Sequence, residues 1–255
     1  MRTIAIANQK GGVGKTTTAV NLATALAAAG MRVILVDFDP QGNASTGFGI
    51  GANVRTPSSY DILTQPELAD ESAKPTDIPG LFVIPATQSL AGAEVELVGQ
   101  AHATERLKTA LARLADIDYV LIDCPPSLSL LTLNALVAAN TVLIPLQTEF
   151  YALEGLSQLL RTIEEVRARS NPALDIEGVV LTMYDRRNRL SDQVAEDVRA
   201  ALGSRVFDTV IPRNVRLSEA PSHGMPALIY DLRCPGSVAY LALARELMGT
   251  VAKAA

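Results

Sequence analysis

Seven short runs of almost purely aliphatic residues recur along the chain, at 3–7, 32–37, 81–85, 119–124, 141–147, 178–184 and 206–211. They do not alternate apolar with polar, so as strands they are buried on both faces, the habit of parallel strands. Stretches with helical periodicity lie between most of them, at 16–29, 102–115, 130–139, 153–170, 191–202 and 238–252. Strand and helix in alternation predict an α/β fold, a mostly parallel twisted sheet with helices on both faces. At 255 residues, 48% hydrophobic and 19% charged, the chain suits one large α/β domain or two small ones, and is too apolar for disorder. No Ser/Pro-rich linker divides it and no repeat of about 20–50 residues recurs, so a single domain over 1–255 is expected. Residues 48–80, rich in Gly, Pro, Ser and Asp, read as a looser surface excursion with one short helix near 58–63.

Composition removes several chemistries. Two cysteines, Cys124 and Cys234, cannot build a disulfide framework or a four-cysteine metal site. Two histidines, His102 and His223, leave little for a histidine zinc centre. The amino terminus has only four apolar residues in a row, Ile4 to Ala7, too short for a signal-peptide core. The longest apolar stretch, 135–146, is broken by Asn140, Thr141 and Pro145, so nothing is expected to span a bilayer. These features read as a soluble, cytoplasmic protein in a reducing compartment. A net charge of −5 argues against a chain coated with basic residues. The charge is uneven, however: 186–216 holds seven arginines against four acids, a local +3 where a polyanion would sit.

The chemistry gathers at Gly11-Gly12-Val13-Gly14-Lys15-Thr16-Thr17, directly after the first strand and at the start of the first helix. A Gly-rich turn feeding a helix N-terminus presents backbone N–H groups to phosphate. Lys15 supplies counter-charge to the β- and γ-phosphates, and the Thr16 hydroxyl is placed to ligate Mg²⁺. Lys10 is an additional cation ahead of the glycines; alone it reads as a solvated lysine, but beside such a loop it adds charge where phosphoryl transfer accumulates it. Val120-Leu121-Ile122-Asp123 is an apolar strand ending in an acid, the usual station for a metal-holding carboxylate. The second strand ends in Asp37-Phe38-Asp39-Pro40-Gln41-Gly42, where one acid can brace the loop while the other orients water. The sequence alone leaves those two roles unassigned. No Asn-Lys-x-Asp guanine-reading sequence is present, so adenine is the expected base.

Asn8-Gln9-Lys10-Gly11-Gly12-Val13-Gly14-Lys15-Thr16-Thr17-Thr18 resembles the deviant Walker A loop of the ParA/Soj partition ATPases. Asp37-Phe38-Asp39-Pro40-Gln41-Gly42-Asn43 is similar to their Walker A′ segment, and Asp123-Cys124-Pro125-Pro126-Ser127 to their Walker B. The stretch from Ile211 to Gly224, Ile-Pro-Arg-Asn-Val-Arg-Leu-Ser-Glu-Ala-Pro-Ser-His-Gly, resembles the chromosomal branch in particular. The resemblance covers essentially the whole chain and implies a P-loop NTPase fold and slow, Mg²⁺-dependent hydrolysis of ATP. It implies an ATP-bound homodimer in which Lys10 of each subunit reaches the partner's phosphates. Gly11, Gly12, Val13, Gly14, Lys15, Thr16 and Thr17 would hold the phosphates, Thr16 and Asp123 the metal, and Asp39 the attacking water. Pro40 and Gln41 would lie at the nucleotide, and Met183, Pro212, Arg213 and Asn214 at the adenine. The resemblance further implies non-specific binding of double-stranded DNA, association with the nucleoid, and stimulation by a ParB-type centromere-binding protein. Arg187 and Arg216 align with the basic residues that serve DNA; Arg186 and Arg189 are added as their neighbours, although intrachain pairs to Asp185 and Asp192 would also account for the cluster.

Three other readings compete. A MinD-like membrane-positioning ATPase needs a basic amphipathic tail with bulky apolar residues. The tail here, 241–255, has two cations, one acid and no aromatic, and reads as a core-packed last helix with a frayed end. A metabolic kinase or ligase would need a second-substrate site that no motif marks. A ParA-like protein positioning a cytoplasmic cargo, in place of a chromosome or plasmid, is a variant of the main reading.

Overall fold

The computed structural model describes residues 1–149 and 152–254, with side chains for all of these except Glu154 and 250–254. The amino-terminal half runs β1 (Arg2–Ile6), α1 (Lys15–Ala28), β2 (Val33–Asp37), α2 (Asn43–Gly47), α3 (Ser59–Thr64), α4 (Ala69–Ser72), β3 (Lys74–Pro75) and β4 (Leu81–Ile84). It continues through α5 (Leu90–Leu97), α6 (Arg106–Leu111), β5 (Tyr119–Asp123), α7 (Leu130–Ala138) and β6 (Thr141–Gln147). The remainder is α8 (Ala152–Arg169), β7 (Asp175–Tyr184), α9 (Arg189–Leu202), β8 (Val206–Pro212), α10 (Val215–Glu219), α11 (Ala227–Tyr230) and α12 (Pro235–Ala254).

The described residues form one eight-stranded sheet in the order β3-β4-β2-β5-β1-β6-β7-β8, parallel throughout except for the β3–β4 edge pair. Side chains alternate between its faces with period two, so both faces of each aliphatic run are buried. Ile4, Ile6, Val33, Leu35 and Leu121 pack with α1 and α12 through Leu22, Leu26, Tyr240, Leu243 and Leu247. Ala5, Ile34, Val36, Val120 and Ile122 pack on the opposite side with the layer that includes Ile62, Leu90, Leu107, Leu136 and Leu159. The expected twisted α/β fold with two helical layers is what forms. Among the described residues, no helix is long and apolar enough to cross a membrane.

Two expectations need correction. The helix expected at 102–115 is confined to Arg106–Leu111, because His102 (φ 57°) and Asp116 (φ 56°) take left-handed backbone conformations that a helix cannot contain. Residues 48–80 are not a loose excursion with a single helix. Two 3₁₀ turns, α3, α4 and the β3 edge fill that span, anchored by fully buried Ile62, Leu63 and Ala69. The expected 58–63 helix is there as α3, started by a capping box in which Ser58 and Asp61 satisfy each other. The last helix is core-packed as expected and runs on to Ala254; the side chains of the end expected to fray, and Ala255 entirely, lie outside the described residues.

Candidate functional site

Strand register assembles the site. Ile6 of β1 lies beside Asp123 of β5, and Asp123 beside Asp37 of β2. Two carboxylates therefore end adjacent strands at the edge where β1 opens into the glycine loop, the edge at which open α/β sheets bind ligands. Gly12 (φ 75°) and Gly14 (φ 89°) take the left-handed conformation that glycine adopts without penalty. Gly14 caps α1 with no side-chain hydrogen bond to the first turn, so those N–H groups stay available to an anion. The loop is anchored from the sheet. Asn8 Nδ2 donates to the Pro145 carbonyl at 2.7 Å while its Oδ1 accepts from the Lys10 N–H at 3.0 Å. Thr182 Oγ1 donates to the Val13 carbonyl at 2.8 Å.

Lys15 is buried and its Nζ donates to the Lys10 carbonyl at 2.9 Å. Burial lowers its pKa from the ordinary lysine value, opposed by Asp123, Cys124 and Asp39. Asp37 and Asp123 are both fully buried. Asp37 Oδ2 accepts from Ser45 N–H at 2.7 Å and Ser45 Oγ at 2.6 Å, while Oδ1 has no hydrogen-bond partner among the described residues. Neither oxygen of Asp123 has a hydrogen-bond partner among them either. Burial, opposed by the Ser45 hydrogen bonds, pushes Asp37 up to about 6. Burial and then the charge of Asp37 raise Asp123 well above the usual carboxylate range, against the nearby Thr16 hydroxyl and Lys15 ammonium. Buried carboxylate oxygens without partners, beside a hydroxyl at a phosphate loop, fit a hard divalent cation such as Mg²⁺, which takes oxygen ligands.

Two adjoining clefts of about 380 Å³ each open over this floor. The phosphate-side cleft is lined by Gly11, Gly12, Gly14, Lys15, Thr16 and Thr17, with Asp39, Gln41, Asn43 and Pro126 opposite. The other is walled by Thr182, Met183, Pro212, Arg213, Asn214 and Tyr240. Gly14, Thr17 and Met183 belong to both, so one elongated ligand can occupy the pair. Met183 holds φ 51°, an uncommon conformation for a residue with a side chain, at the junction. The geometry separates the two acids that the sequence left open. Asp37 is tied inside to Ser45, whereas Asp39 lines the cleft.

Four expected residues sit apart from the cleft walls. Val13 is buried, Asp123 lies beneath in the core, and Pro40 occupies the turn closed by the Gly42 N–H to Asp39 carbonyl bond at 2.9 Å. Lys10 pairs through its ammonium with Glu149 and does not line the phosphate-side cleft. The Arg segment divides as well. Arg186, Arg187 and Arg213 line a groove of about 870 Å³ with Arg233, whereas Arg189 opens α9 and Arg216 lies in α10. The intrachain pairs weighed for the cluster are half realised: Arg187 pairs with Asp185, but Asp192 accepts from the Tyr184 hydroxyl.

Ser45, Glu149 and Arg55 were not foreseen. Arg55 clamps α2 by donating to the Ile50 carbonyl at 3.0 Å, the Ala86 carbonyl at 3.3 Å and Thr46 Oγ1 at 2.9 Å. It lies so close to Gly42 (φ 65°) that a Cβ there would meet Arg55 Nη1 at 2.1 Å. No local signal marks these partners, because each is brought in by the fold.

This fold and loop define a P-loop nucleotide hydrolase. A family model described as AAA domain matches residues 1–176. The chain is 61% identical over 251 residues to the chromosome partitioning protein ParA of Caulobacter vibrioides, covering 97% of this chain and 94% of that one. It is 55% identical over 245 residues to the sporulation initiation inhibitor protein Soj of Bacillus subtilis, covering 96% and 97%. Among solved structures, a cobyrinic acid a,c-diamide synthase of Mycobacterium smegmatis with bound ADP and magnesium superposes with a TM-score of 0.85. That protein is 39% identical, over 97% of this chain and 94% of its own. The chain belongs to the ParA/Soj family of chromosome-partitioning ATPases.

Proposed function

We propose that residues 1–255 act as one ATPase domain that dimerises on binding ATP, binds double-stranded DNA without sequence preference, and releases it after hydrolysis. The observation that carries the reading is the paired cleft: a phosphate nest with a buried lysine, continuous with a second pocket of a size for a base. Gly11 to Thr17 bind the phosphates of ATP, and Lys15 neutralises them. Thr16 and Asp123 hold Mg²⁺, which supplies Lewis-acid neutralisation of charge on the transferring phosphoryl group. Asp39, on the cleft wall, orients the attacking water and accepts its proton, while Asp37 braces the loop through Ser45. Met183, Pro212, Arg213 and Asn214 bind adenine, with Pro40 and Gln41 closing over the phosphates.

Lys10 completes the partner's site in the ATP dimer, after leaving Glu149. Arg187, Arg216, Arg186 and Arg189 supply the DNA face, doubled by two-fold symmetry on an otherwise acidic body. A ParB-type protein ends the bound state by stimulating hydrolysis, so the protein acts at the nucleoid in segregating a chromosome or plasmid. The relatives named ParA and Soj support this cycle. Sedimentation velocity and ATP turnover test it together. Mg²⁺-ATP should convert the wild type from monomer to dimer, and Lys10→Ala should turn over ATP far more slowly. A Lys10→Ala variant hydrolysing at the wild-type rate would remove Lys10 from the shared site.

A further inference from the structure

Of the four arginines proposed for the DNA face, the two that align with DNA-binding positions, Arg187 and Arg216, are the two whose guanidinium groups are held by carboxylates. Arg187 donates from Nε and Nη2 to the two oxygens of Asp185, at 3.0 and 2.9 Å. Asp185 is itself fixed, since its Oδ1 accepts the Arg187 backbone N–H at 3.0 Å and its carbonyl accepts from Asn188 N–H at 2.9 Å. Arg216 donates from Nη1 to Glu219 at 2.8 Å, and its Nε lies 3.6 Å from Asp231. Its guanidinium also rests over the Tyr230 ring, 5.9 Å from the centroid. By contrast Arg186 and Arg189 have no ion pair among the described residues.

Arg187, gripping Asp185 through two N–H groups, has already committed the fork that would grip a phosphate, and Arg216 has committed one N–H of its fork to Glu219. We propose that Asp185 and Glu219 are built-in competitors for DNA phosphate, each occupying the arginine that DNA must take. The proposal rests on the DNA-binding reading above. DNA can engage Arg187 or Arg216 only by exchanging phosphate for carboxylate, and the displaced carboxylate then stands beside the phosphate and repels it. Binding is thereby kept weak, which suits a complex that must be released.

The test is the affinity of the ATP-bound protein for random-sequence duplex DNA across a salt series. Asp185→Asn keeps the acceptor for the Arg187 N–H, and Glu219→Gln keeps the length of its side chain, so fold and DNA-free ATP turnover should be unchanged. Each should tighten DNA binding by on the order of three- to tenfold, the scale of an exposed ion pair counted twice in a dimer. The control is Glu196→Gln, an exposed acid on α9 without an ion pair among the described residues. The deciding arm is Asp185→Asn placed in an Arg187→Ala background, where the gain should vanish because the competed group is gone. A gain that survives without Arg187 or is matched by Glu196→Gln would reduce the effect to long-range charge and overturn the proposal, as would no gain at all. A wild type that fails to bind DNA with ATP would defeat the functional reading itself, an outcome separable from these.

Discussion

The phosphate side and the arginine side of this molecule handle charge in opposite ways. At the carboxyl ends of β2 and β5, Asp37 and Asp123 are wholly buried, and three of their four oxygens lack hydrogen-bond partners among the described residues. Around α9 and α10, Arg187 and Arg216 are exposed and paired with acids. Buried carboxylates without partners destabilise a fold unless a cation arrives, so the first region stores free energy that a bound metal nucleotide releases. Exposed pairs contribute little to stability and exchange readily with another anion. One region is therefore suited to tight binding, and the other to weak, reversible exchange of anions. The proposed cycle, which holds nucleotide firmly and DNA loosely, would use both.

The comparison can be broken at each side. The largest effect is expected at Asp39→Ala, where hydrolysis should fall roughly 10²–10⁴-fold with ATP binding and dimerisation intact. Single-turnover kinetics at the wild-type rate would move the water-orienting role away from the cleft wall. Lys15→Ala should weaken ATP affinity by roughly 10²–10³-fold, because it leaves buried phosphate charge uncompensated; tight binding in calorimetry would contradict the phosphate assignment.

The buried acid predicts a pH dependence. The nucleotide-free folded state holds the Asp37 proton to about pH 6, while the unfolded chain releases it near 3.8. Stability is then present at low pH and lost as pH rises between those values, by about 3 kcal/mol. Urea unfolding at pH 4.5 and 7.5 should show the loss in the wild type and much less of it in Asp37→Asn. The smallest effect belongs to the exposed side. Arg216→Ala should weaken DNA binding several-fold and lower the salt slope by about one per subunit, with nucleotide affinity unchanged. An equal loss of ATP affinity would put Arg216 in the nucleotide pocket instead.

How legible each region was follows from how its contacts are made. The aliphatic runs announced seven strands because burial on both faces leaves no polar alternation, and the glycine loop announced itself because strand, turn and helix are contiguous. The β3 edge was invisible: it is two residues long and contains Pro75, which weakens any strand signal. Leu90, Ala93 and Leu97 carry a helical spacing in α5, but the element is too short and Gly92 too disruptive to stand out. The helix expected at 102–115 is longer than the one that forms because the periodicity of Leu107, Ala110, Leu111 and Leu114 carries no sign of the left-handed conformation at His102. Within the site, Lys10–Glu149, Asp37–Ser45 and the Arg55 clamp depend on the packed fold, so only the motif residues could be named beforehand.

The most direct test of the account is binding to random-sequence double-stranded DNA without nucleotide, with ADP and with Mg²⁺-ATP, across a salt series and with liposomes in parallel. The account predicts binding only with ATP, falling steeply with salt, reduced in Arg216→Ala and absent from liposomes. DNA binding that ignores the nucleotide, or liposome binding without DNA binding, would contradict it.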